Sequence, residues 1–177
     1  MAVDHLTRRV VNQVRDKWGR WTIQEVKGRD DSKVIIVSVY QPIDNTSGVG
    51  KTTVAAQQKS LLILSQNSTT NPRTAFRRDL LATLKAYRHR NTSFLIVGDF
   101  NEQFGADPDG IVKIAESMEL LDLMASRHSS TPLATYARGT KRLDSAIASP
   151  HICDALCFSG YEEFNSRIAS DHRGYYF

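Results

Sequence analysis

Three short stretches hold the side chains best suited to polar catalysis. Asp99 and Asn101 stand in Gly98-Asp99-Phe100-Asn101-Glu102, directly after the apolar run Phe94–Val97. Asp144 closes Lys141-Arg142-Leu143-Asp144 and enters a second apolar run, and Asp171 and His172 are neighbours in Ser170-Asp171-His172. Carboxylates at strand ends, one carboxamide and one imidazole are what a hard-metal hydrolase needs. Oxygen donors suit Mg²⁺ or Mn²⁺, and the cation polarises a phosphoryl oxygen. An Asp can orient an attacking water, and an imidazolium oriented by a second Asp can steady charge on the transition state. Each stretch also has an ordinary reading. Asp-Phe-Asn after a strand is a common turn, because both polar side chains bond nearby backbone, and Ser-Asp-His can be a surface loop. Their joint occurrence, in this order, favours a site.

A second pattern competes. Asn45-Thr46-Ser47-Gly48-Val49-Gly50-Lys51-Thr52 follows a strand, opens a helix and nearly spells a phosphate-binding P-loop, with the later Phe94–Asp99 imitating its magnesium-binding strand. Asn45, however, replaces the first glycine, where the tight turn needs unusual backbone freedom. The loop from Tyr40 is also long and contains Pro42. Gly48–Thr52 is therefore expected to be an exposed loop without a phosphate cradle.

The catalytic candidates need a scaffold. Arg20–Lys27 alternates Trp21, Ile23 and Glu25 with Thr22, Gln24 and Val26, and after the break Gly28–Ser32 comes the β-branched run Val34–Tyr40. This predicts a hairpin that Pro42 terminates, since proline cannot donate to a ladder. Val54, Gln58, Leu61, Leu62 and Ser65 predict a helix over Thr52–Gln66. Phe76, Leu80, Leu81, Leu84 and Tyr87 predict an amphipathic one over Thr74–Arg88. Phe94–Val97 reads as a buried strand. Ile111, Ile114, Ala115 and Met118 mark a third helix, with Asp109 as candidate cap. Arg142–Ser149 and Ala155–Ser159 read as strands separated by Pro150, and Gly174–Phe177 as the start of another. The pattern predicts mixed sheets flanked by helices, an α/β or α+β domain.

Composition sets outer limits. The length of 177 residues suits one domain, 1–177, and 41% apolar with 24% charged residues excludes collagen-like, coiled-coil and disordered classes. No apolar run approaches the ~18 residues that cross a bilayer, and MAVDHLTRRVV has no signal core. Cys153 and Cys157 read as reduced core thiols, which points to a reducing intracellular compartment. A net charge of +4 favours a polyanionic partner. Arg73, Arg77, Arg78, Lys85, Arg88 and Arg90 read first as a solvated helix face. His5, His89, His128 and His151 have no partner at ligand spacing, and Trp18 and Trp21 read as core packing rather than base stacking.

Taken in order, Tyr40-Gln41-Pro42, Gly98-Asp99-Phe100-Asn101, Arg142-Leu143-Asp144 and Ser170-Asp171-His172 resemble the endonuclease/exonuclease/phosphatase superfamily. That superfamily includes deoxyribonuclease I, apurinic endonucleases and the endonuclease domains of non-LTR retrotransposons. The resemblance runs from about Trp18 to the C-terminus. Thr135-Tyr136 followed by Gly139–Asp144, and the stretch Pro72–Leu84, are similar to the retrotransposon branch. The resemblance implies a four-layer α/β sandwich of two mixed sheets flanked by helices. It also implies roles: Tyr40 contacts the scissile phosphate, Asp99 positions the attacking water and Asn101 helps hold phosphate or metal. Asp144 orients His172, His172 clamps a phosphoryl oxygen or carries a proton, and Asp171 is a metal ligand.

The family also opens with an Asn-bearing strand and a strand ending in Gln-Glu, whose Glu holds the metal. Both lie upstream of the Tyr-x-Pro strand, where this chain has too little sequence. Ile23-Gln24-Glu25-Val26 imitates the second, but Glu25 falls on the predicted hairpin and reads as a sheet residue. The expectation is a sandwich incomplete at its N-terminus, a fragment of a longer product whose parent would carry a reverse transcriptase domain. The activity implied is metal-dependent phosphodiester hydrolysis, with DNA as partner, Mg²⁺ or Mn²⁺ as cofactor, and a nuclear compartment if the chain is retrotransposon-derived. A phosphatase acting on small phosphoesters and an inactive nucleic-acid-binding remnant stay open as alternatives.

Overall fold

Alternation of apolar and polar residues sets the frame of the main sheet. In the computed structural model, which describes residues 7–43, 52–66, 69–128, 133–166 and 169–177, β1 (Val10–Arg15), β2 (Trp21–Lys27) and β3 (Lys33–Tyr40) form an antiparallel run. β3 then pairs in parallel with β4 (Thr92–Asp99). A parallel pair needs a long crossover, and this one holds α1 (Val54–Leu64) and α2 (Pro72–Tyr87). α3 (Ile111–Met118), β5 (Leu121–Asp122), α4 (Leu123–Arg127), β6 (Asp144–Ala148), α5 (Pro150–Ala155), β7 (Gly160–Tyr161) and β8 (Tyr175–Tyr176) follow. The main sheet is six-stranded and mixed, in the order β1-β2-β3-β4-β6-β5, and β7 and β8 form a small second sheet. The expected α/β architecture of two sheets with flanking helices is present.

Both faces of the main sheet are covered, by different layers. Ile23, Ile35, Val37, Val39, Phe94, Ile96 and Ile147 share one face and pack on Phe76, Leu80 and Leu84 of α2 and on Ile111, Ile114 and Met118 of α3. Trp21 meets Phe76 edge-on, ring centroids 5.8 Å apart, as core packing requires. On the other face Leu95, Val97, Ala146 and Ala148 pack with Leu123, Met124, Cys153, Tyr161 and Tyr175. Burying one such aliphatic or aromatic side chain contributes about 1.5–3 kcal/mol relative to leaving it in water. α2 starts where Asn71 caps it, its side chain accepting from Arg73 N at 2.8 Å with Pro72 in the first turn.

Several local expectations shift. Ala155–Ser159 is not a strand. Pro150 opens α5, since proline suits a first helical turn, and the chain becomes a strand only at Gly160–Tyr161. α1 buries Gln58 and Leu62 of the expected stripe together with Ala55, whereas Val54 and Leu61 of that stripe stay exposed. α3 is capped not by Asp109 but at Gly110, where the Glu102 carboxylate accepts from Ile111 N. Cys153 is buried, whereas Cys157 lies exposed after α5; both are free thiols. Residues 45–51 of the P-loop-like stretch, and His5, lie outside the described residues; α1 begins just after it, with Thr53 as cap.

Candidate active site

Strand register brings the candidates together. Tyr40 ends β3 opposite Asp99, which ends β4, and Asp99 in turn faces Asp144, which begins β6. Side chains alternate across a strand, so these three project on one face, the face carrying Leu95, Val97, Ala146 and Ala148. Gly98 permits the close approach. Its φ of +143° disfavours a side chain, and a Cβ there would run into the Val39 carbonyl.

The loop ends are tied by short side chains. Asp99 Oδ1 accepts from Asn101 N at 2.8 Å, and Oδ2 from Asn101 Nδ2 at 3.2 Å, with Asn101 in the left-handed region at φ +48°. Asn tolerates that conformation better than most residues. Thr135, fully buried, accepts from Leu143 N at 2.9 Å and Asp144 N at 3.0 Å through its hydroxyl. Arg142 makes a buried ion pair with Asp122, which also caps α4 through bonds from Met124 N and Ala125 N. An isolated bridge between Tyr136 and His172, and the bond from Arg173 N to Thr135 O at 2.7 Å, bring the last stretch alongside.

Asp144 Oδ2 lies 2.9 Å from His172 Nδ1. Asp99, Asp144 and His172 each offer a ligand atom within 4.8 Å of the others, the group of this kind found among the described residues. Asp171 stands apart. Its carboxylate is half-exposed, 3.8 Å from the Arg138 guanidinium. Glu25 pairs with Lys33 at 2.5 Å on the hairpin.

Burial pushes the Asp99 carboxyl above its usual range; Asp144 adds to this, while bonds from Asn101 and the nearby His172 oppose it. Burial alone would lower His172, but the bond and charge of Asp144, with Asp99 and Asp171 beyond, raise it above the ordinary value. Burial and the Asp99 charge raise Tyr40. The carboxylate oxygens of Asp99 and Asp144 suit a hard divalent cation in donor chemistry, whereas the His172 imidazole is engaged by Asp144 and is not a donor of that kind.

Part of the arrangement was not foreseen. Arg73 and Arg77, read as a solvated helix face, are instead drawn inward by the buried Glu102. A buried charge must be paired, and the partner lies more than twenty residues along the chain, so no local pattern announced it. Gln41, within Tyr40-Gln41-Pro42, joins the same network at 2.7 Å.

No protein-family model matches the sequence, and no curated protein matches it. Its fold is nonetheless shared with solved structures. An AP endonuclease from Leishmania major is 14% identical, with a TM-score of 0.65 over 97% of this chain and 62% of that one. The 3′ phosphatase NExo from Neisseria, bound to product DNA hairpin, is 15% identical, with a TM-score of 0.59 over 93% and 68%. The endonuclease domain of TRAS1, a telomere-specific non-LTR retrotransposon, is 12% identical, with a TM-score of 0.56 over 93% and 64%. This chain thus spans roughly two thirds of the length of each. All three have the endonuclease/exonuclease/phosphatase fold, and so does this chain.

Proposed function

We propose that, on this endonuclease/exonuclease/phosphatase fold, residues 1–177 form one domain whose site hydrolyses phosphodiesters with a divalent metal, DNA being the substrate. The observation that supports this most is the convergence of Asp99, Asp144 and the Asp144-bound His172. Asp171, which lies outside that group and 3.8 Å from Arg138, would hold Mg²⁺ or Mn²⁺, and the metal when bound polarises a phosphoryl oxygen. Asp99 orients the attacking water and takes its proton. Asn101 steadies Asp99 and helps hold the phosphate. Asp144 engages Nδ1 of His172, leaving Nε2 to donate to a phosphoryl oxygen as charge builds there. Tyr40 contacts the scissile phosphate from the same end of the sheet. The bond from phosphorus to water oxygen forms, the bond to the leaving oxygen breaks, and that oxygen gains a proton from solvent, to which Asp99 returns the one it took. A cellular compartment containing DNA, and a reverse transcriptase domain as partner, belong to the same reading; no helix among the described residues is long and apolar enough to cross a membrane.

Nicking of supercoiled plasmid tests it. Mg²⁺-dependent nicking is expected to stop with EDTA and to fall about 10²–10⁴-fold in His172→Ala. Equal nicking by both proteins would overturn the assignment. A second reading, a non-catalytic nucleic-acid binder, is favoured by one observation: Glu25 is committed to Lys33 and leaves the metal donors few. It is distinguished by DNA binding without nicking. Phosphate release from inositol phosphates without nicking would instead mark a small-phosphoester phosphatase.

A further inference from the structure

We propose that Glu102 is a positioning residue, which, through Gln41 and Arg73, fixes the turn Asp99–Asn101 in the form the hydrolytic reading above relies on. Glu102 is 7% exposed. A carboxylate so far from water needs several donors to offset its lost hydration. It has them from three elements. Oε2 accepts from Arg73 Nη2 at 2.7 Å, from Gln41 Nε2 at 2.7 Å and from Arg77 Nη2, while Oε1 accepts from Ile111 N at the start of α3. Gly110 leaves the room for this; a Cβ there would collide with the Glu102 carboxylate.

The same donors then grip the turn. Gln41 Nε2 donates to Phe100 O at 2.5 Å, and Arg73 Nη1 donates to Asn101 O at 3.1 Å and to Pro42 O at 3.2 Å. Gln41 N donates to Asp99 O at 2.8 Å, and Asn101 Nδ2 to Gln41 O at 2.7 Å. The carbonyls of Asp99, Phe100 and Asn101 are thus all taken by Gln41 or Arg73, and Glu102 holds both of those side chains in place. Asparagine tolerates φ +48° without requiring it, so the surroundings must select that form. This network does so, and it acts on the backbone beneath Asp99 rather than on the reacting atoms.

Glu102→Gln tests the inference, because it keeps the shape of the side chain but removes the charge that gathers Arg73, Arg77 and Gln41. In the folded variant the Asn101 side-chain amide and backbone N–H, followed by NMR, should exchange with water about tenfold faster or more, while the Phe94 and Ile96 amides stay as protected as before. Plasmid nicking should lose about 10–100-fold in kcat with KM within about twofold, as expected of misplacement rather than lost binding. Should Glu102→Gln fail to fold, Arg73→Lys decides. It keeps a cation for Glu102 but cannot also span to Asn101 O, and it should give the same two effects. If the unaltered protein does not nick DNA, the hydrolytic reading fails, yet the exchange measurement still judges the positioning role. Unchanged Asn101 exchange in a folded Glu102→Gln or Arg73→Lys protein would overturn it.

Discussion

Asp16 shows how a single carboxylate can tie the start of the sheet to its helix layer. It accepts from Trp18 N at 3.1 Å, from Arg20 N at 3.2 Å, and from Arg20 Nε at 2.8 Å and Nη2 at 3.1 Å. Arg20 reaches on to Asp79 of α2 at 2.9 Å and lies against Trp18 and Trp21, 4.6 Å and 4.4 Å from the ring centroids. Burial pushes the Asp16 carboxyl up, but the bonds and charge of Arg20 outweigh it and hold the group below its usual value. A depressed carboxylate stabilises the fold above its unfolded value, and that contribution is lost as pH falls through about 4 and on through the folded value. The difference in urea midpoint between the unaltered protein and Asp16→Asn should therefore be largest near neutral pH and shrink below about pH 4. A difference that stayed constant down to pH 2 would mean that the Arg20 bonds stabilise without favouring the charged carboxylate.

The C-terminus of α3 carries avoidable strain. Glu119 sits there at φ +56° and ψ +43°, its N–H bonded to the Ala115 and Glu116 carbonyls. Glycine usually ends a helix in this left-handed form because a Cβ is penalised. The side chain's ion pair, with Arg88 at 2.6 Å, is exposed and contributes little. Glu119→Gly is expected to stabilise by about 0.5–1 kcal/mol, raising Tm by about 1–4 °C in a domain of this size; a lower Tm would show that the pair outweighs the strain. Elements differed in how openly the chain announced them. The β2–β3 hairpin was legible because β-branched alternation is local, and α2 because Phe76, Leu80 and Leu84 repeat at helical spacing. Ala155–Ser159 misled because an apolar run does not by itself supply a ladder partner: Ala155 ends α5, and 156–159 carry no regular structure before β7. The association of Asp99, Asp144 and His172 was legible only through a resemblance carried by spaced motifs. The supporting Glu102, Arg73 and Gln41 were not, because their pairing is set by how α2 lies against the ends of β3 and β4, and no short window of sequence holds that.

The whole molecule carries a net charge of +4, and its distribution matters more than its size. Arg73 and Arg77 are spent on Glu102 inside the protein and cannot also meet a polyanion. Arg138 and Lys141 are exposed instead, in the segment that joins Tyr136, whose ring is tilted against His172 with centroids 5.3 Å apart, to Asp144. The Arg138–Asp171 pair, at 3.8 Å between two exposed side chains, is weak enough to yield to a phosphate. Contacts of this kind release counterions, so log affinity for a DNA duplex should fall linearly with log salt, by about 0.9 for each phosphate neutralised. Arg138→Ala should lower that slope by about one and weaken binding similarly for unrelated sequences, because a phosphate contact reads no base. Fluorescence anisotropy with a labelled duplex between about 50 and 200 mM salt makes the comparison. An unaltered slope would remove Arg138 from the DNA-facing surface, and binding indifferent to salt would argue against a polyanionic substrate and favour a small phosphoester.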